Sequence, residues 1–159
     1  MTQAAPALVA QAVYENYFTA EEASRFSAAE IRQAIAYWVG QQRMDLADAL
    51  VAAGISLYPE SEDILAIGTL VAEVNQDWAL AQECVESLME VQGMAATAET
   101  WYHLIRIMRC RGAHYNAFRH VQKAIRIFPA HAALRDMYEE LAALVEAAPV
   151  KVEVESKAE

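Results

Sequence analysis

The side chains best suited to chemistry gather in one stretch. His103, His114, His120 and His131 fall between positions 101 and 135, together with Cys110 and seven Arg or Lys residues. Imidazoles and thiolates would hold zinc if two of them shared a helix face one turn apart, or stood as a close Cys-x-x-Cys pair. The histidine spacings are eleven, six and eleven, and no carboxylate lies between 101 and 135. Cys84 and Cys110 lack the Cys-x-x-Cys spacing and read as a reduced pair inside helices. The histidines are therefore expected at surfaces and between helices, with no metal site. Serines and threonines sit at turns and helix starts, giving no nucleophile with a nearby base. No two of the five glycines are closer than fourteen residues, so no phosphate-cradling loop is present. The expectation is a protein with no catalytic residue, no cofactor and no enzyme activity.

Charge is distributed more tellingly than its total of -10 suggests. Residues 1–100 hold three basic against fifteen acidic residues, a net of −12. Residues 101–135 reach +7, and the last 24 residues return to −5. Carboxylates on both sides of a basic segment would repel phosphates, which argues against a nucleic-acid partner. An acidic or amphipathic protein partner suits the pattern better. No apolar run approaches the length of a membrane span, so no membrane insertion is expected. The alanine-rich start has no basic leader, so the reading is a cytoplasmic protein without a secretory signal.

These side chains must be positioned by helices. The 159 residues are 56% hydrophobic, rich in Ala, Leu, Ile and Val, and contain only five Gly and four Pro. Pro6 opens a helix to about Phe18, and Thr19-Ala-Glu-Glu22 and Ser27-Ala-Ala-Glu30 have the form of capping boxes. Further helices are expected from Ala28 to about Gln41 and from Asp45 to Leu57. Ser61 is expected to cap one to about Asn75, and Asp77 to start one ending before Gly93. Helices over Ala98–Arg111, Tyr115–Phe128 and Ala130–Ala147 complete an all-α chain. Short connections make neighbours antiparallel. One domain is expected over residues 1–148, followed by a disordered acidic tail over 149–159.

The helix pairs repeat. Ala47, Ala81 and Ala117 are 34 and 36 residues apart, each followed four places later by Val51, Val85 and Val121. Gly54, Leu88 and Ala124 come next, then Pro59, Gly93 and Pro129; Ile31, Leu65 and Trp101 align in the first helix of each pair. This pattern resembles the tetratricopeptide repeat, with units at about 28–61, 62–95 and 98–131. The third unit matches best, through Trp101, Leu104, Gly112, Ala117, Ala124 and Pro129. The second departs at Gly68, Ala72 and Gly93, and the first at Ala34 and Ile35. The resemblance implies an α-solenoid of three degenerate helix pairs, with an added helix at the N-terminal end and a capping helix at the C-terminal end. Met44, Trp78 and His114 share one position after each inter-helix turn and are expected to plug gaps between units, while Tyr37 and Trp38 are expected in the core.

In such a solenoid the first helix of each pair lines the concave side. The resemblance places there Ala29, Arg32, Ala36 and Val39; Asp63, Ala66, Leu70 and Glu73; and Glu99, Tyr102, Arg106 and Arg109. It implies a non-enzymatic adaptor or chaperone holding a peptide or helix of a protein partner, with an acidic group of that partner on Arg106 or Arg109. On that view the two arginines matter to association and little to folding. In size, acidity, repeat number and helical flanks the chain also resembles chaperones of type III secretion systems, which keep a translocator or needle subunit soluble before export. A homo-oligomer, with the acidic half of one copy meeting the basic third repeat of another, is the alternative.

Overall fold

In the computed structural model, which describes residues 25–147, the chain turns helical at Ser27 for a local reason. Ser27 Oγ accepts a hydrogen bond from the Glu30 N–H at 3.3 Å, and Glu30 Oε2 accepts one from the Ser27 N–H at 2.8 Å. The reciprocal cap satisfies two amides that the first turn leaves unpaired. It opens α1, Ala28–Gly40, and α2, Met44–Leu57, follows. The second pair is α3, Glu62–Val74, and α4, Trp78–Gln92; the third is α5, Ala98–Cys110, and α6, His114–Ile127. Helix α7, Ala132–Ala147, closes the series. No strand occurs among the described residues. The all-α solenoid of three helix pairs with a C-terminal helix is thus the architecture. The helix expected near residues 6–18, the capping sequence at Thr19 and the tail over 149–159 lie outside the described residues.

Asp77 caps α4 by accepting from the Leu80 N–H at 3.1 Å, and Thr97 caps α5 by accepting from the Thr100 N–H at 3.2 Å. Ser61 occupies the cap position of α3 but its side chain makes no capping bond. Glu62 and Asp63 in the first turn supply negative charge at that helix end instead. Helix α7 starts two residues later than expected, because Ala130 and His131 still belong to the turn. There the His131 N–H donates to the Phe128 carbonyl at 3.1 Å, and the Leu134 N–H donates to His131 Nδ1 at 3.3 Å.

The aligned repeat positions are the core. Ala47, Ala81 and Ala117 are completely buried, as are Ile31, Val85 and Val121, with Val51, Leu65 and Trp101 nearly so. Small side chains at 47, 81 and 117 let the second helix of each pair approach the first, while branched residues fill the space between pairs. Replacing Ala117 by Leu would force extra methylenes into this contact, with an expected loss of about 1–3 kcal/mol. Thermal denaturation checks it, and an unchanged melting temperature would contradict the packing register. Leu134, Met137 and Leu141 of α7 complete the cluster formed by Trp101, Ile105, Ala117 and Val121.

Met44 packs against the first-repeat cluster and Trp78 against the cluster between repeats two and three. His114, at the equivalent position, is exposed and plugs nothing, so that expectation fails for the third repeat. An imidazole at a helix start keeps its solvation at no cost to the core. Trp38 packs on the first cluster, but Tyr37 is 40% exposed and meets Trp38 edge-on with ring centroids 5.2 Å apart. Tyr37 is therefore a surface residue that shields Trp38.

The period lengthens from 34 to 36 residues at one place. Repeats one and three end at Tyr58-Pro59 and Phe128-Pro129, where the Tyr58 and Phe128 N–H groups each close the last turn at 2.8 Å. Repeat two instead runs α4 for 15 residues to Gly93 and adds a 3-10 turn, Gly93–Ala95. Gly93 has φ 53, a left-handed conformation that glycine adopts without a Cβ penalty. Helices α1 and α3 lie directly against each other, whereas α3 and α5 make few close backbone approaches. The added turn falls at the junction where this gap stands between the first helices of repeats two and three.

Candidate protein-binding cleft

That gap is a cleft of about 360 Å³. Helix α3 contributes Glu62, Asp63, Ala66 and Leu70 to its walls, and α5 contributes Glu99, Thr100 and His103. Leu88 and Gln92 of α4, with Thr97 before α5, form the remaining surface. The helical steps from Asp63 to Ala66 to Leu70 put these three on one stripe. Leu70 is 44% exposed, an unusual position for a leucine in the middle of a stack and the apolar center of the site.

Side-chain bonds fix the cleft at both ends. At one end Gln92 Nε2 donates to Glu62 Oε2 at 2.8 Å, and Thr100 Oγ1 donates to Gln92 Oε1 at 2.8 Å. At the other, Glu73 reaches across from α3 to α5. Arg106 donates to Glu73 Oε2 at 2.6 Å, and His103 Nδ1 donates to Glu73 Oε1 at 2.9 Å. The Glu73 side chain is only 4% exposed, so its carboxylate depends on these two donors in place of water. The His103 side chain also lines the cleft.

The Thr100 hydroxyl is donated to an amide oxygen rather than to the imidazole, and each Glu73 carboxylate oxygen accepts from one of Arg106 and His103. Cys84 is buried beneath Gly68, where burial pushes its thiol up to about 11, so it holds little thiolate at neutral pH. Both cysteines are free. Among the described residues no three His, Cys, Asp or Glu side chains converge as a metal ion would require. Nor, among them, is any helix long and apolar enough to cross a membrane.

The groove residues implied by the repeat register divide into three groups. Asp63, Ala66 and Leu70 line the cleft. Arg32 and Val39 lie on α1, and Arg32 Nε stands 3.6 Å from Asp63 Oδ1 at the cleft's edge. Tyr102 packs partly against the third-repeat core, and Arg106 and Arg109 are both occupied. Arg106 holds Glu73, and Arg109 pairs with Glu140 of α7. The expectation that these arginines serve association and hardly affect folding is therefore corrected for Arg106, whose removal would strand a buried carboxylate. Six cleft residues were not singled out from the sequence as site residues: Glu62, Leu88, Gln92, Thr97, Thr100 and His103. Their signal lies in the 36-residue spacing, which marks where the repeats separate.

Several solved structures share this fold. The first TPR of Spaghetti (RPAP3), bound to the HSP90 peptide SRMEEVD, superposes with a TM-score of 0.67 at 8% identity, covering 76% of this chain and 94% of that one. The chain has the tetratricopeptide-repeat fold. The C-terminal TPR-containing domain of a Plasmodium falciparum FK506-binding protein gives a TM-score of 0.64 at 14% identity, covering 84% and 96% of the two chains. The Sgt2 TPR domain from Aspergillus fumigatus gives 0.64 at 15% identity, covering 82% and 90%. No protein-family model matches the sequence, and comparison with curated proteins finds no match. This tetratricopeptide-repeat chain thus shares its backbone with those domains and little of its sequence.

Proposed function

We propose that this chain is a non-enzymatic protein-interaction adaptor that holds an extended or helical segment of a partner in the cleft between α3 and α5. The observation that carries the reading is an open, partly apolar cleft whose two ends are fixed by cross-helix hydrogen bonds. A preorganised site loses less conformational entropy when a segment enters. The similar Spaghetti domain, bound to an HSP90 peptide, supports a peptide as the class of ligand. Asp63, Ala66 and Leu70 form the contact surface, with Arg32, Val39 and Tyr102 beside it, and residues 1–148 act as one unit with 149–159 as a tail. Within this reading, a chaperone role in type III secretion, keeping an export subunit soluble in the cytoplasm, fits the acidity, the repeat number and the helical flank.

An array of immobilised random heptapeptides tests the adaptor reading. Ala66→Trp should fill the cleft and abolish capture of the bound set, with the melting temperature little changed. Equal capture by Ala66→Trp would contradict the site.

A second reading has its own observation. Arg119, Lys123 and Arg126 form an exposed stripe along α6, and Glu83, Glu86 and Glu90 an exposed acidic face on α4. These outer faces are complementary in charge, which supports a homo-oligomer assembled head to tail. Sedimentation across 0.05–0.5 M salt distinguishes it, because such contacts weaken once screening falls below about 10 Å.

A further inference from the structure

The cleft's charge is opposite to the one the basic third repeat suggests. We propose that it selects a cationic, aliphatic segment, with Lys or Arg side chains alternating with Leu-sized residues; this rests on the adaptor reading above. Glu62, Asp63 and Glu99 line the cleft, and no Lys or Arg does. The neighbouring basic side chains do not cancel these carboxylates. Arg32 approaches Asp63 only at 3.6 Å with both side chains about half exposed, and His131 Nε2 is 3.9 Å from a Glu99 side chain that is 74% exposed. Exposed pairs of this kind exchange readily for a ligand ammonium or guanidinium.

The third repeat's arginines are turned away from this task. Arg106 is held by the buried Glu73, and Arg109 by Glu140. An acidic segment would meet three carboxylates in the cleft and no unpaired lining cation to offset them. Between the carboxylates, Ala66, Leu70 and Leu88 offer an apolar floor for a branched aliphatic side chain. Carboxylate walls over an apolar floor match a segment in which charge and apolar side chains alternate.

Three acetylated heptapeptides, titrated by fluorescence anisotropy, test this: alternating Leu and Lys, alternating Leu and Glu, and SRMEEVD. The Leu/Lys peptide should bind at least tenfold tighter than either acidic peptide and weaken as salt rises. The Asp63→Asn/Glu99→Gln variant should lose at least tenfold for it. Asp136→Asn/Glu139→Gln, which removes the same charge from exposed positions of α7 outside the cleft, should stay within twofold, excluding attraction to net charge alone. Acidic peptides bound as tightly, and lost in Ala66→Trp, would overturn the cationic specificity while leaving the adaptor reading intact. Equal losses in both charge variants would also overturn it. Failure of all three peptides to bind would overturn both.

Discussion

Arg106→Glu is expected to destabilise the fold by about 2–4 kcal/mol, the cost of breaking a buried charge pair reduced for the partial exposure of the arginine. Glu73 is nearly inaccessible, and Arg106 and His103 are its hydrogen-bond donors. A glutamate at 106 would remove one donor and set a second carboxylate beside the first. For a domain of this length the melting temperature should fall by about 5–12 °C. Arg109→Glu supplies the contrast, because Glu140 is 59% exposed and the pair is worth under about 1 kcal/mol. A combined Glu73→Leu/Arg106→Met variant should recover much of the loss, since apolar replacements leave no buried charge unpaired. Urea denaturation of the four proteins decides it. An Arg106→Glu melting temperature equal to wild type would make the bridge a surface ornament.

Leu141→Ala should cost about 2–5 kcal/mol, which is the range for truncating a buried leucine and leaving a cavity. Leu141 is completely buried, as are Leu134 of the same helix and Ile105 and Val121 facing it. Stacked repeats bury a face only against a neighbour, so the last pair needs α7 as its cover. The exposed Leu144, one turn further along, provides the control, with an expected change within about 0.5 kcal/mol on substitution by Ala. Equal, small effects at 141 and 144 would mean that α7 does not cap the stack.

The period of small and branched residues revealed most of the architecture, because it is the direct trace of helix packing. Ala47, Ala81 and Ala117 must be small for two helices to approach, whatever the partner or pathway. The site was less legible, because it arises where that period breaks. Gly93 stands out in the sequence as a missing proline, but how far apart the neighbouring first helices stand is not written in any single residue. Arg106 and Glu73 could be placed on one concave surface from the repeat register. Their pairing was not visible, because 33 residues separate them and the register gives faces rather than side-chain reach. The basic third repeat shows the same limit. Its charge is a property of the segment, whereas the cleft takes its walls from α3 and the start of α5, where the carboxylates are.

The most direct measurement of the central claim is a methyl NMR titration with the Leu/Lys heptapeptide, using labelled Leu and Ala side chains. Ala66, Leu70 and Leu88 line the cleft, whereas Leu144 is exposed on α7, outside it. Binding in the cleft predicts saturating shifts at Ala66, Leu70 and Leu88, and none at Leu144. Shifts confined to α6 and α7, with Leu70 and Leu88 unmoved at saturation, would contradict the cleft as the binding site.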